Sequence, residues 1–353
     1  MRLSESLRRG IFDAKSGALT NRFGVKKRRN VLFFEDILAN YVKECEAAGH
    51  GREIESVAER WMLLSTKGLM LGFLEKLIFT PVFNNLMIKV WKNVGVLEWA
   101  EVRKSGDIVS IKTRNEFVSR LVGCNRFSIG VYKGIFGSLL GHKVMCMHAV
   151  QNREECMYEF RAGAGSADVP SKSKELYDSL NRAPGNRGHA LKDALRVGVL
   201  SIDYDGHIRF RGNLLVNGEN TIFHLLGSKC MLMDKLADIS HAYFRGLVGE
   251  SSGEKKLVLL KTLIQSMGWG TTAMIMHGKN DITVSLSNLP CGMQTEKENY
   301  DFIAYTMLGY VRLINEGMSI KRKCSSGNTL SVHYTTSARR PATRPPKRLQ
   351  KGH

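Results

Sequence analysis

Two halves of this chain carry the same landmarks in the same order, and that recurrence limits the fold more than any single motif does. Leu7-Arg-Arg-Gly-Ile-Phe-Asp, followed by Gly17 and Arg22-Phe-Gly24, is answered by Leu195-Arg-Val-Gly-Val-Leu-Ser, followed by Gly206 and Phe210-Arg-Gly212, with glycine offsets of 188, 189 and 188. Gly95-Val-Leu-Glu-Trp-Ala-Glu-Val and Asp107-Ile-Val-Ser-Ile-Lys match Gly268-Trp-Gly-Thr-Thr-Ala-Met-Ile and Asp281-Ile-Thr-Val-Ser-Leu at an offset of about 174. Phe127 and Gly134 pair with Phe302 and Gly309 at 175, and Gly141 and His148 with Gly317 and Cys324 at 176. A chain of 353 residues then divides into a first domain over 1–160, a small-residue linker over 161–188, a second domain over 189–336 and a basic tail over 337–353.

The periodicities run in one sequence within each half. A short helix and a tight hairpin come first, the Gly206 turn alternating as a hairpin does. Apolar residues at three- and four-residue spacing predict helix over 54–79 and 223–247, then over 82–92 and 255–267. Two alternating strands follow, with polar turns at Ser105-Gly-Asp and Gly278-Lys-Asn-Asp. A helix rich in small residues, 125–140 or 299–316, precedes a last hairpin over 143–160 or 319–334. The expected class is α+β, two tandem copies of a small antiparallel sheet covered by helices.

The formal charge of +19 comes from 52 Lys and Arg against 33 Asp and Glu, and most of it sits at the ends. Residues 1–30 hold nine basic side chains against Glu5 and Asp13, and residues 335–353 hold six with no acid. The three prolines of the last stretch and its lack of apolar residues predict a disordered basic tail. Lys26, Lys27, Arg28 and Arg29, with Arg339, Arg340, Arg344, Lys347 and Arg348, are the expected contacts to the phosphates of DNA or RNA or to a partner, a merely solubilising tail being the alternative. Arg2, Arg8 and Arg9 lead into no apolar signal core, and the apolar window 69–91 is too broken to span a bilayer. An odd count of seven cysteines fits reduced thiols, which points to a cytoplasmic protein.

The order of elements, Gly268-Trp-Gly before the strand pair, and the run Cys124-Asn-Arg-Phe-Ser-Ile-Gly-Val-Tyr-Lys-Gly-Ile-Phe-Gly through His148 to Cys156 resemble the vinyl-4-reductase small-molecule-binding family, whose fold is shared with subunits of the TRAPP tethering complex. The resemblance covers most of both halves. It implies a structural zinc site in which Cys124 and Cys156 match the first and last ligands and His148 replaces the hairpin cysteine. Met145 stands where the family has an acid. Cys146, two residues from His148 on a strand, is expected to share its face and supply a fourth ligand; ordinary buried thiols and a core histidine are the alternative. Asn299, Lys321, Cys324 and Val332 deny the second half such a site. The resemblance also implies a pocket for a hydrophobic small molecule, lined by Trp99, Phe127 and Tyr132 in the first half and Trp269, Phe302 and Tyr305 in the second, although packed core aromatics read the same way.

No Walker sequence, His-Glu-x-x-His or Cys-x-x-Cys occurs in the chain. A non-enzymatic protein is therefore expected. Three functions compete: a ligand-responsive regulator with a duplicated sensor domain, an interaction scaffold of the tethering-subunit kind acting as a homodimer or as a pseudo-dimer of its own halves, and a nucleic-acid- or ribosome-associated basic protein.

Overall fold

The structure, a computed structural model, describes residues 13–15, 17–21, 28–67, 85, 88–89, 91–182, 190–229, 231–278, 280–294 and 298–336. Strands β1 (Asp13–Lys15), β2 (Ala18–Asn21) and β3 (Arg28–Phe34) lead into helices α1 (Glu35–Ala47) and α2 (Gly51–Lys67). Strands β4 (Trp99–Ser105) and β5 (Ile108–Arg114) precede α3 (Ser119–Val122), α4 (Arg126–Leu140) and the hairpin β6 (His142–Gln151) and β7 (Glu155–Ser166). Helices α5 (Lys174–Leu180) and α6 (Ala190–Arg196) connect to β8 (Ser201–Ile202), β9 (Ile208–Phe210) and β10 (Asn213–Glu219). The second half continues through α7 (Thr221–Lys229), α8 (Met233–Leu247), α9 (Gly253–Ser266), β11 (Thr271–Met276), β12 (Asp281–Ser287), α10 (Asp301–Val311), β13 (Met318–Ser326) and β14 (Thr329–Thr336). Helices and antiparallel sheets make the class α+β.

Local chemistry explains the element ends. Asn125 caps α4 by accepting from the Ser128 amide at 2.8 Å, and Gly141 ends the helix in the left-handed region. The helix expected over 223–247 is two helices, because Leu232 has φ of +47° and breaks the turn between α7 and α8. Helix α4 crosses α2 closely enough that a Cβ on Gly134 would lie 2.2 Å from the Glu59 carbonyl oxygen. Gly309 of α10 plays the same part against Ala237 of α8, at 2.4 Å.

The two four-stranded sheets have the same order, β4-β5-β7-β6 and β11-β12-β14-β13. Their ladders also share a register. Cys146 pairs with Phe160 and His148 with Glu159, while Ile320 pairs with Tyr334 and Arg322 with His333, so both hairpins are offset by 174 and both carry a bulge at the same step. The offset of 176 expected from Gly141 and His148 is two residues too long there. The counterpart of His148 is Arg322, and that of Cys156 is Leu330.

The opening hairpins do not stay with their own halves. They join in one six-stranded sheet, β1-β2-β3-β10-β9-β8, through antiparallel pairing of β3 with β10. The Leu32 amide donates to the Met267 carbonyl at 2.9 Å, and the Asn217 amide donates to that of Val94 at 3.1 Å, each across the halves. Two indoles repeat the exchange: Trp61 Nε1 donates to the Glu219 carbonyl at 3.0 Å and Trp269 Nε1 to that of Leu32 at 2.9 Å. One apolar core, from Leu19 to Tyr334, runs through this seam, while the inner face of the β4-β5-β7-β6 sheet has a separate cluster around Ile111, Tyr132 and Phe160. The described residues of 1–160 and of 189–336 thus belong to chain segments whose packing interlocks. The expected linker is ordered in large part: β7 runs to Ser166, and Tyr177 of α5 is buried with its hydroxyl on Glu219 at 2.8 Å. Among the described residues no helix is long and apolar enough to cross a membrane.

Candidate functional site

The zinc expectation depends on side chains of β6 meeting Cys124 and Cys156. Strand alternation would put Cys146 and His148 on one face, but the bulge at Met147 inserts one residue between them. Cys146 consequently faces the helices, half-buried near Glu55 and Lys133, while His148 is exposed on the opposite face. The residue that reaches Cys124 is Gln151, whose Oε1 accepts from the thiol at 3.4 Å. Gln151 is also the ladder partner of Cys156, so it occupies the place assigned to His148. Cys156 donates to the Asn152 carbonyl at 3.4 Å, and burial raises its thiol above the ordinary range. Two thiols and an amide do not make a closed zinc shell. Among the described residues no three His, Cys, Asp or Glu side chains are placed to hold a metal, and the donor set does not fit the group.

What surrounds Cys156 instead is a buried carboxylate. Glu116 follows β5, with one oxygen accepting from Ser119 Oγ at 2.8 Å and Tyr158 OH at 2.7 Å, the other from Thr113 Oγ1 at 2.8 Å and Tyr132 OH at 2.9 Å. It is only 3% exposed, and among the described residues no cation is paired with it. Burial and this carboxylate drive the Tyr132 and Tyr158 hydroxyls well above their ordinary range, so both stay protonated and donate. Gln151 Nε2 donates to Tyr158 OH at 2.9 Å and Asn125 Nδ2 to Ser119 Oγ at 2.9 Å, extending the network to the start of α4. The cluster ties β5, β7 and α4 together. In the second half the positions of Thr113, Glu116 and Tyr132 hold Leu286, Leu289 and Met307, all buried. Sequence reasoning missed Glu116. The signal was there: aligning Asn115 with Asn288 sets Glu116 against a leucine.

The frame around this loop is common to both halves. Asn115 and Asn288 both have positive φ, at +49° and +54°. Arg120 donates to the carbonyls of Asn115 at 2.9 Å and Gly95 at 2.8 Å, and its guanidinium pairs with Glu35 at 2.6 and 2.8 Å. In the second half the same two carbonyls, those of Asn288 and Gly268, are held by Arg29, which comes from β3 of the first half. Arg29 is 2% exposed, its Nε has no partner, and burial lowers its pKa to about 10. It therefore offers nothing to phosphate, which corrects its assignment as a nucleic-acid contact. Arg28 lies in β3; Lys26, Lys27, Arg339, Arg340, Arg344, Lys347 and Arg348 lie outside the described residues.

A second polar cluster locks the connecting segment. Lys172 Nζ donates to the carbonyls of Gly292 at 3.0 Å and Gln294 at 2.7 Å and pairs with Glu298. The other Glu298 oxygen lies 3.1 Å from Nδ1 of the fully buried His224, whose Nε2 is 2.9 Å from the Pro290 carbonyl.

Among the described residues the expected pocket linings do not enclose a cavity of ligand size. Phe127, Tyr132, Trp269 and Phe302 are all buried in packed aromatic clusters, Trp269 edge-on to Phe223 at 5.1 Å. Tyr305 is half-buried, and Trp99 lies on the outer sheet face with the Arg114 guanidinium 5.5 Å above its ring. A void of about 10 Å³ beside Phe34, Phe244, Trp269 and Met307 has room for about one water molecule. Small-molecule sites take roughly 300 Å³ or more.

No protein-family model, curated protein or solved structure matches this chain.

Proposed function

We propose that the chain is a non-enzymatic interaction platform, an intramolecular pseudo-dimer of two duplicated α+β units of the vinyl-4-reductase and TRAPP-subunit kind, whose basic face and ends contact nucleic acid. The observation that carries this reading is the contrast between two equivalent edge strands. β6 and β13 share a register and a bulge, yet Met145, Met147 and His148 on one correspond to Ser319, Lys321 and Arg322 on the other. Lys321 and Arg322 are exposed at the sheet edge, and the residue that leads into the basic segment 337–353, Thr336, pairs with Met318 at the start of the same strand. Constant offsets through both hairpins, the shared arginine-held turns and the paired helix-crossing glycines support the duplication.

Each phosphate neutralised contributes a slope of roughly −0.9 to the dependence of log affinity on log salt for duplex DNA. Binding of duplex DNA and of structured RNA, measured across salt concentrations, should show a slope of several units. Deleting residues 337–353 should lower it, and K321E/R322E should lower it further. Affinity that does not change with salt, or that survives both changes, refutes the reading.

A ligand-responsive regulator is the second reading, favoured by the polar lining that only the first half keeps around Glu116. A hydrophobic small molecule would have to part the packed aromatic clusters. Native mass spectrometry of the purified chain, with a thermal-shift screen of lipids and aromatics, should then reveal a retained or stabilising compound; an empty spectrum and a flat screen reject it.

A further inference from the structure

The outer face of the β6–β7 hairpin collects soft donors in a way that the equivalent face of the second half does not. Met145 and Met147 are 55% and 52% exposed, and Met157 on the neighbouring strand is 38% exposed. On an unbroken strand His148 would point away from Met147. The bulge between Cys146 and His148 removes that alternation, so Met145, Met147 and His148 all lie on the solvent face while Cys146 turns to the helices. Residues two apart on a strand stand roughly 7 Å apart at their Cα atoms, within the joint reach of two flexible thioether side chains. Met157 is the ladder partner of Val150, on the diagonal of His148, and Glu159 lies directly opposite His148. Arg161, opposite Met145, has its charge answered by Asp107 at 3.4 Å.

The scaffold does not need these side chains. The same backbone, bulge included, is built in the second half with Ser319, Lys321, Arg322 and Ser331 at the four positions. Exposed methionines clustered with an imidazole are therefore a property of the first half's surface rather than of its folding.

We propose that Met145, Met147 and His148, with Met157 as a further thioether, form a surface site for a soft monovalent cation, copper(I) or silver(I). Thioethers are poor ligands for zinc or magnesium but favour copper(I), and two sulfurs with one imidazole nitrogen give the low coordination number that such an ion accepts. The site is separate from Cys124 and Cys156, and it does not depend on nucleic-acid binding.

The test uses the full chain carrying C124S/C324S, which removes the two thiols that are exposed among the described residues. Copper(I) is titrated anaerobically against a chromophoric chelator, in parallel with M145L/M147L/H148Q on the same background. The expected result is one equivalent fewer in the triple variant, with X-ray absorption of the lost equivalent reporting thioether sulfur and one nitrogen. Silver(I) added to the parent should also move the ring resonances of His148. Leucine and glutamine on an exposed strand face preserve the fold, which circular dichroism checks directly. Equal stoichiometry and affinity in the two proteins, or a bound ion ligated by thiolates alone, overturns the proposal.

Discussion

Glu116 is the residue whose replacement most directly tests the reading of the first half. A Glu116→Leu change removes the acceptor of four hydroxyls. Ser119 keeps Ser128 Oγ at 3.0 Å, but the donors of Thr113, Tyr132 and Tyr158 are left in an apolar cluster. Each orphaned buried donor costs about 1–3 kcal/mol, so the single change should destabilise the chain by about 3–6 kcal/mol once the relief of burying one carboxylate less is allowed for. Removing donors and acceptor together should be much milder, since replacing both partners by apolar groups of the same shape is close to neutral. T113V/E116L/Y132F/Y158F is therefore expected to recover more than half of the loss, approaching the apolar solution that Leu286, Leu289 and Met307 already embody. Urea unfolding followed by near- and far-ultraviolet circular dichroism gives the midpoints and slopes of all three proteins. E116L within about 1 kcal/mol of the parent, or a four-fold variant less stable than E116L, would refute the claim that the cluster acts as one satisfied polar unit.

Other perturbations probe the frame around it. Truncating Arg120 to alanine leaves Glu35 buried beside nothing of opposite charge, a loss of about 3–5 kcal/mol that chemical denaturation at neutral pH should register. Burial raises the Glu35 carboxyl above its ordinary value of 4.5, so the folded chain holds that proton more tightly than the unfolded one; stability should fall as pH rises from there through the raised value, and E35Q should flatten that limb. Burial lowers His224 below 6.5 in the folded chain, so the unfolded chain takes the proton first; stability should decline as pH drops below that value, and H224Q should remove the slope. Alanine at Gly134 or at Gly309 sets a Cβ against the backbone of the crossing helix, and both changes should lower the melting temperature by amounts matching about 1–3 kcal/mol.

Much of each half was legible because helix and strand periods are local. The two alternating strands around Ser105-Gly-Asp and the helix over 125–140 are written in adjacent residues, and the structure keeps them as β4, β5 and α4. The pairing of Gly134 with Gly309 was equally open, since small residues recur wherever two helices must approach closely. The exchange of the opening hairpins was not, because nothing in a strand such as Arg28–Phe34 states whether its partner lies in its own half or across the molecule at Asn213–Glu219.

Two site assignments failed for physical reasons that bear on how such chains are read. Period-two logic holds only along an unbroken ladder, and the single extra residue Met147 sent Cys146 and His148 to opposite faces. A run of basic residues reads as a solvated stretch, yet Arg29 shares a strand face with Val31 and Phe33 and is drawn inward by the carbonyls of Gly268 and Asn288. Comparing the halves removes part of this ambiguity. Where the frame positions agree, as at Gly95 with Gly268 and Asn115 with Asn288, the backbone is doing the same thing twice. Where the side chains on that shared frame differ in kind, as Glu116 does from Leu289 and His148 from Arg322, folding alone does not require the difference. Exchanges between the halves at those positions are therefore the variants most informative about function.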